Sequence, residues 1–160
     1  MTYSQKYTLI HFISPVDVGD QFHMSEWPLH ITLADVFAID HSSSDIDRKL
    51  NELLENTLPV KTAAAKDVVL GQTPVVLIEK NQHLMSLHAK IVNLLEANGA
   101  VFNTPEFTHE GFLPHSTIQS GQRLIENDTV NIDSISLVDM FPNSDWRLRK
   151  VLATFKLKQE

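Results

Sequence analysis

Pro28-Leu29-His30-Ile31-Thr32-Leu33 is answered downstream by Leu113-Pro114-His115-Ser116-Thr117-Ile118. Both stretches read His-x-Thr-aliphatic with a proline just upstream, and the two histidines lie a little over half of the 160-residue chain apart. His30–Phe37 and His115–Gln119 read as strands. Alternate side chains of a strand share a face, so His30 and Thr32 point one way while Ile31 and Leu33 point into a core. Their Cα atoms are then about 6.6 Å apart, from a rise of about 3.3 Å per residue. Both side chains reach one phosphate from there. His115 and Thr117 repeat the arrangement with Ile118 inward, and Ser116 in place of an aliphatic residue predicts a less firmly buried back face.

Outward from the first copy, Tyr7–Ser14 reads as a strand ended by Pro15, and Val16–Trp27 as a loop. Ser44-Asp45-Ile46-Asp47 predicts a helix start with Ser44 as N-cap, and Ile46, Leu50, Leu53 and Leu54 form its apolar stripe. Thr57-Leu58-Pro59 stops it. Val60–Leu70 and Val75–Lys80 read as strands around the turn Gly71-Gln72-Thr73-Pro74. A helix follows from about Asn81 to Asn98, with Gly99 as its left-handed cap. Val101–Pro114 is a loop, and Val130–Met140 and Trp146–Lys158 are the last two strands. Strand runs broken by two helices predict a mixed α+β architecture in one domain, residues 1–160.

Composition narrows the function. There is no cysteine, which excludes disulfides, thiolate nucleophiles and cysteine zinc sites. The amino terminus has no secretory layout, and the longest aliphatic run, Val75–Ile78, is far short of a membrane span of about 20 residues. A cytoplasmic protein with no membrane partner is expected. A formal net charge of −7 repels polyphosphate at long range and argues against long DNA or long RNA as partner.

Two histidines flanking a phosphate are what in-line phosphoryl transfer requires. One neutral imidazole takes a proton from the incoming hydroxyl or water, and the other returns one to the departing oxygen. Histidine supplies both forms near neutrality. Threonine hydroxyls donate to the non-bridging oxygens. The scheme calls for no metal and no cofactor.

At His30-Ile31-Thr32-Leu33 and His115-Ser116-Thr117-Ile118 the chain resembles the two-histidine (2H) phosphoesterase superfamily, whose bacterial members include the 2′-5′ RNA ligase-like cyclic phosphodiesterases. The resemblance implies a bilobal α+β fold with antiparallel sheets lining a central cleft and helices outside. It implies metal-independent action on 2′,3′-cyclic phosphates or 2′-5′ linkages of nucleotides and RNA ends. It carries catalytic roles to His30 and His115 and phosphate-binding roles to Thr32 and Thr117. Gln119-Ser120-Gly121-Gln122 follows the second motif, with Arg123 the first positive charge, which favours a nucleotide or short RNA end. Two alternatives remain: cleavage or ligation of 2′-5′ phosphodiester bonds, and a non-catalytic nucleotide-binding module. A monomer is expected.

Gln119 shares the strand face of His115 and Thr117, and is a candidate cleft-lining residue. Trp27, Phe112 and Phe22 sit in loops beside the motifs, placed to stack on a base or to pack the core. His11 reads as a satisfied core or rim histidine, and His83 and His88, five apart on a helix, share no face. No His-Glu-x-x-His spacing, Gly-rich phosphate loop or Gly-x-Ser-x-Gly elbow is present.

Overall fold

The computed structural model describes residues 5–119 and 121–159. In chain order the elements are β1 (Lys6–Phe12), β2 (Gln21–His23), β3 (His30–Ala38), α1 (His41–Ser44), α2 (Ile46–Glu55), β4 (Val60–Leu70), β5 (Thr73–Ile78), α3 (Gln82–Ala97), β6 (Val101–Phe102), β7 (His115–Thr117), β8 (Thr129–Ile132), β9 (Ser134–Asp139) and β10 (Leu148–Lys156). Two antiparallel sheets carry the α+β fold, ordered β2-β10-β9-β1-β3-β6 and β7-β5-β4-β8. One motif strand belongs to each: β3 to the large sheet, β7 to the edge of the small one. The two sheets meet there, with β3 and β7 approaching within 8 Å between Cα atoms.

Helix α2 buries Ile46, Leu50 and Leu54, while Leu53 stays half-exposed. Each fully buried aliphatic side chain of this kind contributes about 1.5–3 kcal/mol over leaving it in water. Helix α3 buries Leu84, Leu87, Ile91, Val92 and Leu95 and packs against both β3 and β4, so one helix braces both sheets. Its N-cap is Asn81, whose side chain accepts from the Leu84 N–H, and Gly99 beyond its end takes φ +88 as expected of a left-handed cap.

Three expectations need correcting. Ser44 caps nothing: Asp40 caps the single turn α1, accepting from the Ser43 N–H, and Asp45 (φ 54, ψ 37) is a left-handed joint before α2. Aspartate, with its short polar side chain, tolerates that conformation, so the chain breaks there instead of running on. Val130–Met140 is two strands, not one. β8 pairs with β4 in the small sheet, and β9 pairs with β1 and β10 in the large one. The main core takes Val130 and Ile132 from β8 but Ile135 and Leu137 from β9, whose other face buries Ser136 and Val138, so the face turned to that core slips phase at Asp133 as the chain changes sheets. Ser116 is fully buried rather than loosely held, and its hydroxyl has no hydrogen-bond partner among the described residues. Smaller differences are β2, formed inside the predicted 16–27 loop, and β7, which stops at Thr117.

No helix among the described residues is long and apolar enough to cross a membrane.

Candidate active site

His30 opens β3 and Thr32 follows on the same face, with Ile31 and Leu33 fully buried behind them. The expected alternation holds to Leu33 and then breaks: Leu9 pairs with Ala34 while Ile10 pairs with Thr32, so an extra residue bulges out at Leu33. A bulge bends a strand and raises its twist, and this one begins directly after the His-x-Thr pair. In the small sheet, β7 pairs with β5 and sets His115 opposite Leu77 and Thr117 opposite Val75.

Each histidine is fixed in the same way. His30 Nδ1–H donates to the Pro28 carbonyl at 2.8 Å, and His115 Nδ1–H donates to the Leu113 carbonyl at 2.8 Å. A carbonyl only accepts, so Nδ1 carries the proton in both rings, leaving Nε2 as the unprotonated nitrogen of the neutral form. The two prolines stand at different offsets, two residues before His30 and one before His115. What the halves share is a carbonyl two residues upstream, held by a stiff Pro-containing segment.

Burial pushes the His30 pKa below its usual 6.5, and the nearby His115 adds to that, against the opposing pull of the Pro28 carbonyl. The first imidazole is therefore neutral and basic at neutral pH.

A cavity of about 260 Å³ opens between the motif strands, lined by Thr32, Asp35, Leu70, Phe107, Phe112, Leu113 and His115. It brings a threonine of the first motif together with the histidine of the second. A larger concavity, about 800 Å³, lies away from both motifs, against the C-terminal end of α2, one face of α3 and the ends of β4 and β8. The smaller one is the candidate site, because residues of both motifs, Thr32 and His115, line it; His30 lies outside its lining.

The other candidates fall in different places. Phe112 is buried, stacks on His88 with ring centroids 3.8 Å apart and planes 4° from parallel, and also lines the small cavity. Trp27 lies 4.7 Å from the His30 ring and 5.0 Å from Phe22, centroid to centroid. Gln119 is beyond the end of β7, and its side-chain N–H donates to the Trp27 carbonyl at 3.2 Å. Its neighbour Gln122 accepts from the Leu29 N–H, so the segment after the second motif clasps the segment before the first. His11 is a buried histidine satisfied by the Ser134 carbonyl, as expected.

Two residues near the site carried no sequence signal. His88 is fully buried: Nδ1–H donates to the Leu33 carbonyl at 2.7 Å, and Nε2 accepts from the His109 N–H at 3.0 Å. It therefore pins the bulge of the first motif to the loop that leads into the second. That loop is tight. His109 sits at φ 54, and a Cβ added to Gly111 would collide with the Glu106 carbonyl. Arg149 lies with its guanidinium carbon 5.8 Å from the Trp27 ring centroid. The positive charge that seemed absent near the motifs comes from the last strand, whereas Arg123 is spent on Asp67 at 2.6 Å. Among the described residues no group of three His, Asp or Glu side chains is arranged to hold a metal ion.

Two His-x-Thr strands presented by two antiparallel sheets are the arrangement of a two-histidine phosphoesterase. The profile of the 2′-5′ RNA ligase superfamily matches residues 17–150, and the chain belongs to that superfamily. Sequence comparison with curated proteins gives no significant match. Solved structures are similar in fold. A protein described as a phosphoesterase superposes with TM-score 0.64 at 14% identity, over 97% of this chain and 99% of its own. Escherichia coli LigT in complex with NADP+ gives 0.59 at 13% identity, over 97% of this chain and 98% of LigT. A Thermus thermophilus protein gives 0.57 at 14%, over 97% of this chain and 99% of its own. E. coli LigT has also been crystallised with 3′-AMP, with ATP and with phosphate.

Proposed function

We propose that this chain is a phosphodiesterase that opens the 2′,3′-cyclic phosphate of a nucleotide or short RNA end without a metal, using His30 and His115 as its acid/base pair. The observation that carries the reading is the matched pair of Nδ1–H···O=C bonds, which turns both Nε2 atoms into free proton-transfer groups. His30, the more buried ring and held neutral, removes a proton from the attacking water through Nε2 as the water oxygen bonds to phosphorus. The bond from phosphorus to one sugar oxygen breaks, and His115 gives that oxygen a proton. Thr32 and Thr117 donate hydrogen bonds to the non-bridging oxygens. A cavity of about 260 Å³ suits a phosphate with its sugar better than a long strand. The nucleotide complexes of LigT are in keeping with a ligand of that class.

A second reading, cleavage or ligation of 2′-5′ phosphodiester bonds, is favoured by the name of the superfamily itself. Both use the same two imidazoles, and products formed from 2′-5′ linked oligonucleotides separate them.

The test is hydrolysis of nucleoside 2′,3′-cyclic phosphates in the presence of a chelator. His30→Ala and His115→Ala should each lose about 10²–10⁴-fold in kcat/KM, the usual contribution of a positioned acid or base. Full activity in either variant would sink the assignment, and activity that vanishes with chelator in the wild type would remove its metal independence.

A further inference from the structure

Arg149 is an anomaly beside the first motif, linked to His30 through Trp27. It is half-buried, and burial pulls its pKa down. No carboxylate among the described residues lies within ion-pair distance of it; the acid nearest in sequence, Asp145, pairs with Arg147. Its Nη1 donates to the carbonyls of Met140, Trp146 and Leu148, at 3.2, 2.8 and 2.9 Å. Three carbonyls fix that one nitrogen and hold the guanidinium in place. The opposite edge is unfinished: Nε is covered and unpartnered, and Nη2 has no protein partner among the described residues. The Nε–Nη2 edge is the side of the fork that grips a carboxylate or phosphate through two parallel bonds.

Register places Arg149 on the histidine's side of the large sheet. Arg149 pairs across from Phe22 on β2, and Phe12 pairs across from His30 on β3. The Phe12 and Phe22 rings meet edge-on at 6.3 Å, so the four side chains share one face. Trp27 stands between the cation and the imidazole, 5.8 Å from the first and 4.7 Å from the second. The guanidinium is thus no further from the His30 ring than those two steps laid end to end, a gap that one sugar bridges.

We propose that Arg149 is the anchor for a second phosphate of the substrate: the ligand is a nucleotide phosphorylated on its 5′ carbon as well as at the 2′,3′ position that reacts. The proposal rests on the nucleotide reading above. The reacting phosphate lies at His30 and His115, the sugar passes the Trp27 edge, and the 5′ phosphate takes Nη2, the member of that edge that is not covered. A half-buried cation with no counter-ion and one edge of its fork unpaired gains most from an anion that supplies both. The charge is fixed in advance, so little ordering is needed on binding.

Equilibrium binding tests this without requiring turnover. Calorimetry compares 3′-AMP with adenosine 3′,5′-bisphosphate on wild-type protein, then on Arg149→Gln and Arg149→Lys. The wild type should bind the bisphosphate about 10-fold tighter or more, as expected of charge-assisted hydrogen bonds. Arg149→Gln should bring the ratio to within about 2-fold, and Arg149→Lys, which keeps the charge and loses the fork, should fall between. Equal affinities in the wild type overturn the proposal, whatever the variants do, and so does a preference that persists in Arg149→Gln. A protein that binds the bisphosphate in this pattern yet hydrolyses no cyclic phosphate keeps the anchor and loses the catalytic reading.

Discussion

Replacing His88 with alanine tests how the site is held together. The side chain is 1% exposed and makes two hydrogen bonds to main chain, one to the Leu33 carbonyl and one to the His109 N–H. Removing it strands both groups, at about 1–3 kcal/mol each, and loses the stack on Phe112, about 0.5–1.5 kcal/mol. Water entering the vacated space offsets part of this, so the expected loss is about 3 kcal/mol or more. For a chain of this size each kcal/mol moves Tm by about 2–4 °C, so Tm should fall by at least roughly 6 °C. Circular-dichroism melts at pH 8 measure it. The sign of the pH dependence follows from the same environment. Burial, aided by His109 and Lys80 and opposed by the Leu33 carbonyl, pushes His88 below 6.5. The native state then binds fewer protons than the unfolded chain between that lowered pKa and 6.5. Stability from this residue is whole above 6.5 and is lost as the pH falls through that interval, by up to about 1.4 kcal/mol per pH unit. His11 and His30, also pushed down by burial, add the same sign. The alanine variant should therefore show a shallower decline from pH 6.5 to 5 than the wild type. A loss under about 1 kcal/mol at pH 8, or an unchanged acid slope, would refute the reasoning.

Two other consequences follow from the site geometry. The acid limb of kcat/KM reports the free base, and with His30 held down by burial it should lie below 6.5; a pH–rate profile with its limb centred above that value removes His30 as the base. The double substitution Gln119→Ala, Gln122→Ala cuts the clasp on Trp27 and Leu29 and should cost about 1–3 kcal/mol in urea unfolding. An unchanged midpoint would show that the two motif segments hold each other without it.

Much of the fold was legible because it is local. The strand β4 coincides with its predicted span despite an alanine run, and α3 differs from its predicted span by one residue at each end. Their periodicities and punctuation are written within a few residues. The paired motif was legible for a similar reason, since a strand's twofold alternation fixes which side chains share a face. Less legible were the places where one stretch serves two sheets, as at Asp133, or where an acidic side chain at positive φ interrupts a helix, as at Asp45. The competing local pattern there is a continuous element, and only pairing with distant strands breaks it.

The sequence by itself determined that two His-Thr faces exist and that few cations stand near them along the chain. Tertiary structure decided what those faces meet. Sheet pairing carried β10 next to β2 and set Arg149 against Trp27, and the packing of α3 put His88 between two motif segments far apart in sequence. Such contacts depend on register across strands and on which helix face is buried, and neither is encoded in the spacing of neighbouring residues. The number of charges near a motif in sequence is therefore a poor measure of the charge a substrate meets, because the field at the site is set by distance in space.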